Sequence, residues 1–165
     1  MPSRVLTILV LVLIPSLTGC SGLTPSSIST PTSTSEVLAR ETLIRFFFLL
    51  HSQDYHEASL SYGGSYATMI EHNPDLDPSD KAALLRGACE INGAACLEIY
   101  GSPTLETVSN GEFSFRVQFA RDDGSILERG QCCGGSGPTE NSFLITVKEV
   151  SPSEFVVMSS PIYLP

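Results

Sequence analysis

Four cysteines in the body of the chain, Cys89, Cys96, Cys132 and Cys133, are the residues whose type first suggests chemistry. Their spacings are C-x₆-C and an adjacent pair. Neither is the C-x-x-C of a dithiol redox centre or the paired spacing of a zinc finger, and no histidine is near them in sequence. No metal or other cofactor is therefore expected. In an oxidising compartment such residues form structural disulfides, and four cysteines allow three connectivities. A bridge within Cys132–Cys133 would need a strained ring. Neighbouring side chains in an extended segment point opposite ways. The expected pairing therefore joins Cys89 and Cys96 each to one member of the vicinal pair. It would staple the Gly-rich loop GQCCGGSGPTEN to a helix–sheet junction.

The three histidines are His51, His56 and His72. His51 lies close to Asp54 and Tyr55, the spacing of a general base with an orienting carboxylate. The same residues also fit a helix-end histidine followed by an N-capping aspartate, and that structural reading is the expected one. RDDGS (121–125) has carboxylates but lacks the length and spaced ligands of an EF-hand loop, so it reads as a solvated turn. G-x-S-x-G, a phosphate-binding glycine loop and H-E-x-x-H are all missing from the sequence. The expected catalytic set is empty.

The fifth cysteine, Cys20, sets the compartment. Arg4 precedes Val5 to Leu17, thirteen residues that are mostly Val, Leu and Ile. A bilayer core needs about 20 apolar residues in a helix, so this run fits the h-region of an export signal instead, with Pro15 near its end. Leu17-Thr18-Gly19-Cys20 follows. The segment resembles the lipobox of bacterial lipoproteins: an aliphatic residue, two small residues and a cysteine. The resemblance implies diacylglyceryl transfer to the Cys20 thiol and cleavage between Gly19 and Cys20. It also implies palmitate-type acyl chains on the mature N-terminus. Residues 1–19 are then the signal peptide. Two acyl chains suffice for stable anchoring, whereas one is marginal. The expected location is extracytoplasmic, lipid-anchored to the cell membrane or the outer membrane.

Ser21 to Ser35 reads SGLTPSSISTPTSTS, twelve of fifteen residues being Ser, Thr or Pro. So little apolar surface cannot offset the entropy of ordering, and residues 20–35 read as a lipidated cysteine and flexible tether. Loss of Arg4 from nine basic residues against eighteen acidic leaves the mature chain at −10. With no long basic tract, that charge argues against nucleic acid as a partner.

Residues 36–165 have the length of one domain. SEVLARETLIRFFFLLHSQ has helical spacing. Ser33 and Glu36 sit at capping-box separation, and two apolar sets, Val37/Ile44/Phe47/Phe48 and Leu43/Phe46/Leu50, predict burial on at least two sides. A second helix follows Asp54 and stops by Gly63–Gly64, with Tyr55, Ala58 and Tyr62 on one face. A third runs from Ser65 to His72, stopped by Asn73–Pro74. A fourth is capped by Asp77 with Pro78 in its first turn, and has Leu84, Leu85, Ala88 and Ile91 inward. From Cys96 the period falls from 3.6 to 2. CLEIYGSPTLETVS predicts a strand interrupted near Gly101 and Pro103, and Asn110–Gly111 a hairpin. EFSFRVQFAR alternates, with Phe113, Phe115, Val117 and Phe119 inward. SILER continues as an edge. SFLITVKEV and EFVVMSS are two more strands joined near Ser151–Pro152. Helices first and antiparallel strands after predict α+β, with N-terminal helices on a curved antiparallel sheet of about four strands.

That order, with QDYHEASLSYGG after a long first helix, resembles the nuclear-transport-factor-two-like family and its cystatin-like cone. The head also resembles small extracytoplasmic lipoproteins carrying a cysteine after NG and a CCG element, for which the resemblance implies no activity. Enzymes of the cone-shaped fold, such as ketosteroid isomerase and the SnoaL-like cyclases, place acids, histidines or tyrosines on the concave face of the sheet. Here the inward phases are Phe113, Phe115, Val117, Phe119 and Phe143, Ile145, Val147, side chains that fill a cavity. The expected protein is a membrane-anchored, non-catalytic binding or assembly module, held to the membrane by its lipid and with an envelope protein as partner. The alternatives are a carrier or accessory protein for an apolar ligand, and a SnoaL-like enzyme using His51, Asp54 or a tyrosine.

Overall fold

In the computed structural model, residues 33–130 and 139–164 are described. They belong to one compact unit. The expected signal peptide, the expected lipidation site Cys20 and most of the expected tether lie outside the described residues, as do Cys132 and Cys133. The fold is α+β. Four helices, α1 (Thr34–His51), α2 (Tyr55–Leu60), α3 (Ala67–His72) and α4 (Lys81–Glu90), precede the strands. These are β1 (Ala94–Ala95), β2 (Ile99–Ser109), β3 (Glu112–Phe119), β4 (Phe143–Ser151), β5 (Glu154–Val157) and β6 (Ile162–Tyr163). A four-stranded antiparallel sheet runs β2-β3-β4-β5, and β1 pairs with β6 in a separate two-stranded ribbon.

Period-two patterning builds the main sheet. Asn110 and Gly111 both take positive φ, 51° and 75°, as a tight hairpin turn requires, and set β2 against β3. Phe113, Phe115, Val117 and Phe119 of β3 and Phe143, Ile145 and Val147 of β4 are all buried on one face. Ser114, Arg116 and Gln118 occupy the other, where Arg116 donates to Glu106 at 2.7 Å and Ser114 lies 3.3 Å from Thr146. The inner face meets Leu43, Phe46, Phe47 and Leu50 of α1, which are also buried. Phe47 packs on Phe119 at 4.8 Å between ring centroids, and Phe46 stacks on Tyr62 at 5.7 Å. The core therefore lies between α1 and the sheet. Its aromatic rings contribute packing beyond their area burial.

Several local expectations change. Val37, Ile44 and Phe48 are exposed, although their spacing predicted burial: α1 meets the sheet on one face, and this flank is left to solvent. At its N-terminus Ser33 accepts the Glu36 N–H, but the Glu36 carboxylate turns to Arg40 at 2.6 Å, so only half the capping box forms. Asp80, not Asp77, caps α4, accepting the Ala83 N–H at 2.9 Å. Asp77 is engaged one turn earlier by the Ser79 N–H and hydroxyl. β2 is not broken at Gly101 and Pro103. It continues across a register shift between Tyr100 and Thr104, with Gly101 at φ 69°. The SILER segment contributes two isolated bridges, Ala120 to Ile126 and Arg129 to Glu140, rather than a continuous edge strand. Gly63 and Gly64 are needed for close approach: a Cβ would come within 2.5 Å of the Val156 side chain at Gly63 and 2.3 Å of the Met158 carbonyl at Gly64.

Candidate functional site

A cleft of about 580 Å³ opens where the C-terminal ends of α1 and α4 meet β1. Each wall follows from a local rule. His51 stands in the last turn of α1, where a basic side chain suits the helix dipole. Gln53 takes φ 62° to reverse the chain, and Tyr55 then opens α2. Glu90 ends α4. The Ile91 and Asn92 N–H groups fold back onto the Gly87 carbonyl, and Gly93, at φ 73°, turns the chain into β1.

This turn brings Cys89 and Cys96 together. The two sulfurs are bonded, with Cα atoms 5.5 Å apart. The pairing corrects the expected connectivity, in which each would have reached Cys132 or Cys133. The reason is local: the reversal after α4 sets β1 beside the helix's own last turn and brings Cys96, seven residues on, against Cys89. Sequence spacing alone did not reveal how tightly Ile91–Gly93 reverses. The half-buried cystine lies in the cleft wall.

The His51, Asp54, Tyr55 constellation does not form one site, because Asp54 turns away from the other two. Asp54 accepts the Glu57 N–H and caps α2. The Tyr55 hydroxyl donates to Glu90 Oε1 at 3.1 Å. Burial, reinforced by the Glu90 hydrogen bond and charge, pushes the Tyr55 hydroxyl up to about 12, so it is a hydrogen-bond donor at any physiological pH. His51 and Tyr55 share the cleft, whereas Asp54 is not part of its wall. Glu90 is the cleft residue that sequence reasoning missed, because its contact with Tyr55 spans thirty-five positions. Asp122, of the expected solvated turn, also reaches this wall.

A second cluster lies between α3 and the C-terminal strand. Tyr62, Tyr66 and Tyr163 form it with His72, whose ring meets Tyr163 edge-on at 5.7 Å. The Tyr62 hydroxyl donates to the Ser65 carbonyl at 3.0 Å. Lys81 sits over the Tyr66 ring at 4.5 Å. Desolvation raises the hydroxyls of Tyr62 and Tyr66 to about 12. Chemically, both clusters offer neutral hydroxyl donors and aromatic surface. Among the described residues no carboxylate or imidazole is buried, and no group of three or more His, Cys, Asp or Glu side chains is placed to hold a metal ion. Nor is any described helix long and apolar enough to cross a membrane.

Comparison of the chain with models of known protein families, with curated proteins and with solved structures finds no match.

Proposed function

We propose that this chain is a lipid-anchored extracytoplasmic lipoprotein whose head is a non-catalytic binding or assembly module, built like the helix-on-sheet cone of the nuclear-transport-factor-two-like family. One observation supports a non-catalytic head above the others. The sheet face that carries acid and base groups in enzymes of that build is filled here by Phe113, Phe115, Val117, Phe119, Phe143, Ile145 and Val147, packed against α1. Apolar side chains at interior packing density neither transfer protons nor leave room for a substrate. The same filling weighs against a carrier holding an apolar ligand inside. It leaves the molecule's surfaces as the means of action. Anchoring is supported by Arg4, the thirteen-residue apolar run and Leu17–Cys20.

The test uses the full chain expressed in a bacterium and labelled with palmitate. The native protein incorporates label, and its mature mass begins at Cys20. Cys20→Ser incorporates none and is not cut after Gly19. Labelling of the Cys20→Ser form, or its cleavage at the same bond, overturns the anchoring. For the head, the native protein is extracted in mild detergent and analysed for bound protein and lipid. A protein partner held in fixed ratio agrees with the proposal, whereas a stoichiometric apolar ligand retained after washing favours the carrier.

A further inference from the structure

Strand β2 leaves its regular path twice, and each departure shapes the outer face of the sheet. Tyr100 pairs with Gln118 and Thr104 with Arg116, so residues 101–103 oppose Val117 alone. Gly101 supplies the positive φ of 69° at this excursion, and Pro103 turns inward and is buried. Ser102 then joins Tyr100 and Thr104 on the outer side. Bulges of this kind bend a strand and re-aim its side chains. The second register shift, between Leu105 and Thr107, sets Glu106 within reach of Arg116, whose Nε donates to it at 2.7 Å. The result is a groove of about 250 Å³ on the face opposite α1. Tyr100, Ser102 and Thr104 form one rim, Arg116 and Gln118 the floor, and Ser142 the other rim.

The charges at this groove are paired among themselves. Arg116 is held by Glu106, and its Nη1 also reaches Ser142 Oγ at 3.4 Å. Glu140, whose charge acts on Arg116 as well, forms an ion pair with Arg129. Further along the same face Lys148 pairs with Glu112 at 3.2 Å. The groove therefore offers a ligand one aromatic ring, 48% exposed at Tyr100, with a planar amide, a fixed guanidinium and hydroxyl groups.

We propose that this groove binds an uncharged polysaccharide, with a pyranose ring lying against Tyr100 and its hydroxyls meeting Gln118 and Arg116. The C–H face of a pyranose is apolar and weakly positive, which suits the negative face of an aromatic ring. Neighbouring hydroxyls on the sugar match the paired donors and acceptors of a planar amide and the fork of a guanidinium. Glu106 already holds that fork in place, so less freedom is lost on binding. Charge selects the class of sugar: the groove has no surplus charge, and a chain at −9 repels an acidic polysaccharide. A protein partner is disfavoured on two grounds. A stable protein interface covers roughly 800 Å² per partner around an apolar centre, whereas one exposed ring stands here. The bulge and Pro103 also blunt the β2 edge against an added strand. The groove is smaller than the roughly 300–1,000 Å³ of a drug-sized pocket, which suits one ring of a longer chain continuing across the sheet. The inference rests on the binding module proposed above, to which it gives a ligand class, and is independent of the lipid anchor.

The test titrates the full chain, in a detergent without a sugar headgroup, with cellotriose, maltotriose, triacetylchitotriose and, as the acidic comparison, trigalacturonate. Amide resonances are followed by NMR. At least one neutral trisaccharide is expected to shift residues 100–104 and 116–118, with an affinity of about 0.1–1 mM that salt leaves unchanged. Tyr100→Ala should weaken binding by about tenfold or more, and Gln118→Ala by a similar factor. Tyr100→Phe, which keeps the ring, and Ile91→Ala, on the exposed turn after α4, should bind nearly as the native chain does. Shifts confined to the His51–Tyr55 cleft overturn the assignment, as does Tyr100→Ala binding like the native protein. Tighter, salt-sensitive binding of trigalacturonate overturns the choice of an uncharged ligand. A chain that holds a protein partner in fixed ratio while no trisaccharide moves any resonance loses the sugar site and keeps the binding module.

Discussion

At the scale of single residues, the cystine gives the sharpest contrast between spacing and geometry. A bond between Cys89 and Cys96 closes a short loop, and the chain-entropy account assigns such a loop roughly 2–3 kcal/mol. The pairing has an analytical consequence that follows from the sequence. Trypsin cuts after Arg86 and next after Arg116, so both cysteines fall in one peptide, while Cys132 and Cys133 fall between Arg129 and Lys148. Digestion without reductant is expected to release Gly87–Arg116 as a single peptide, two hydrogens lighter than its reduced form. Mass spectrometry that instead found it joined to the peptide carrying Cys132 and Cys133 would restore the cross-linked scheme. The histidine–aspartate–tyrosine cluster teaches the same lesson from the other side. Asp54 and Tyr55 are adjacent, yet one faces its own helix terminus and the other crosses to Glu90. Adjacency in sequence says little about shared chemistry where a helix begins.

At the scale of elements, α1 determines how the molecule divides core from surface. Phe46 and Phe48 are two positions apart on it, so they point to different sides. Phe46 is fully buried between Phe47 and Tyr62, and Phe46→Ala is expected to cost about 3–5 kcal/mol. Phe48→Ala should stay within about 0.5 kcal/mol, as for surface substitutions generally. Chemical denaturation of the two variants measures the difference; equal losses would mean that Phe48 is covered in the folded molecule. The strand elements were legible because period two admits one register per buried face: Phe113 to Phe119 and Phe143 to Val147 could point only one way. The helical flank was not legible. The apolar arc of α1 is wide, and periodicity counts apolar positions without showing how many neighbours are available to cover them. Cap positions were ambiguous for a related reason. Asp77 and Asp80 both precede α4, and the choice depends on which carboxylate a nearby serine captures first. The Tyr55–Glu90 contact was invisible because it needs α2 and α4 packed side by side.

At the scale of the whole molecule, the tyrosines tie stability to alkaline pH. Burial raises the hydroxyls of Tyr55, Tyr62 and Tyr66 from 10.0 to about 12 and pushes Tyr163 up as well. Ionising them in the folded state would put anions where desolvation disfavours them. The sign follows from proton counting. Below pH 10 both states hold these protons, and stability is unaffected by them. Between 10 and 12 the unfolded chain has released them while the folded chain keeps them, so the unfolded state binds fewer protons and stability falls as pH rises. The surplus of eighteen acidic over nine basic residues adds self-repulsion in the same direction. Two contributions of one sign need a variant to separate them. Tyr62→Phe removes one titrating group while leaving the neutral-pH charge and the ring stack on Phe46 in place. Thermal midpoints from neutral pH to about 12 are expected to fall steeply above 10 in the native protein and less steeply in Tyr62→Phe. Tyrosinate absorbance from Tyr55, Tyr62 and Tyr66 should develop together with the loss of helical signal. If that absorbance were complete near pH 10 with the fold intact, the hydroxyls would be in contact with water and the packing of α2 and α3 against the C-terminal strand would be looser than their aromatic contacts require.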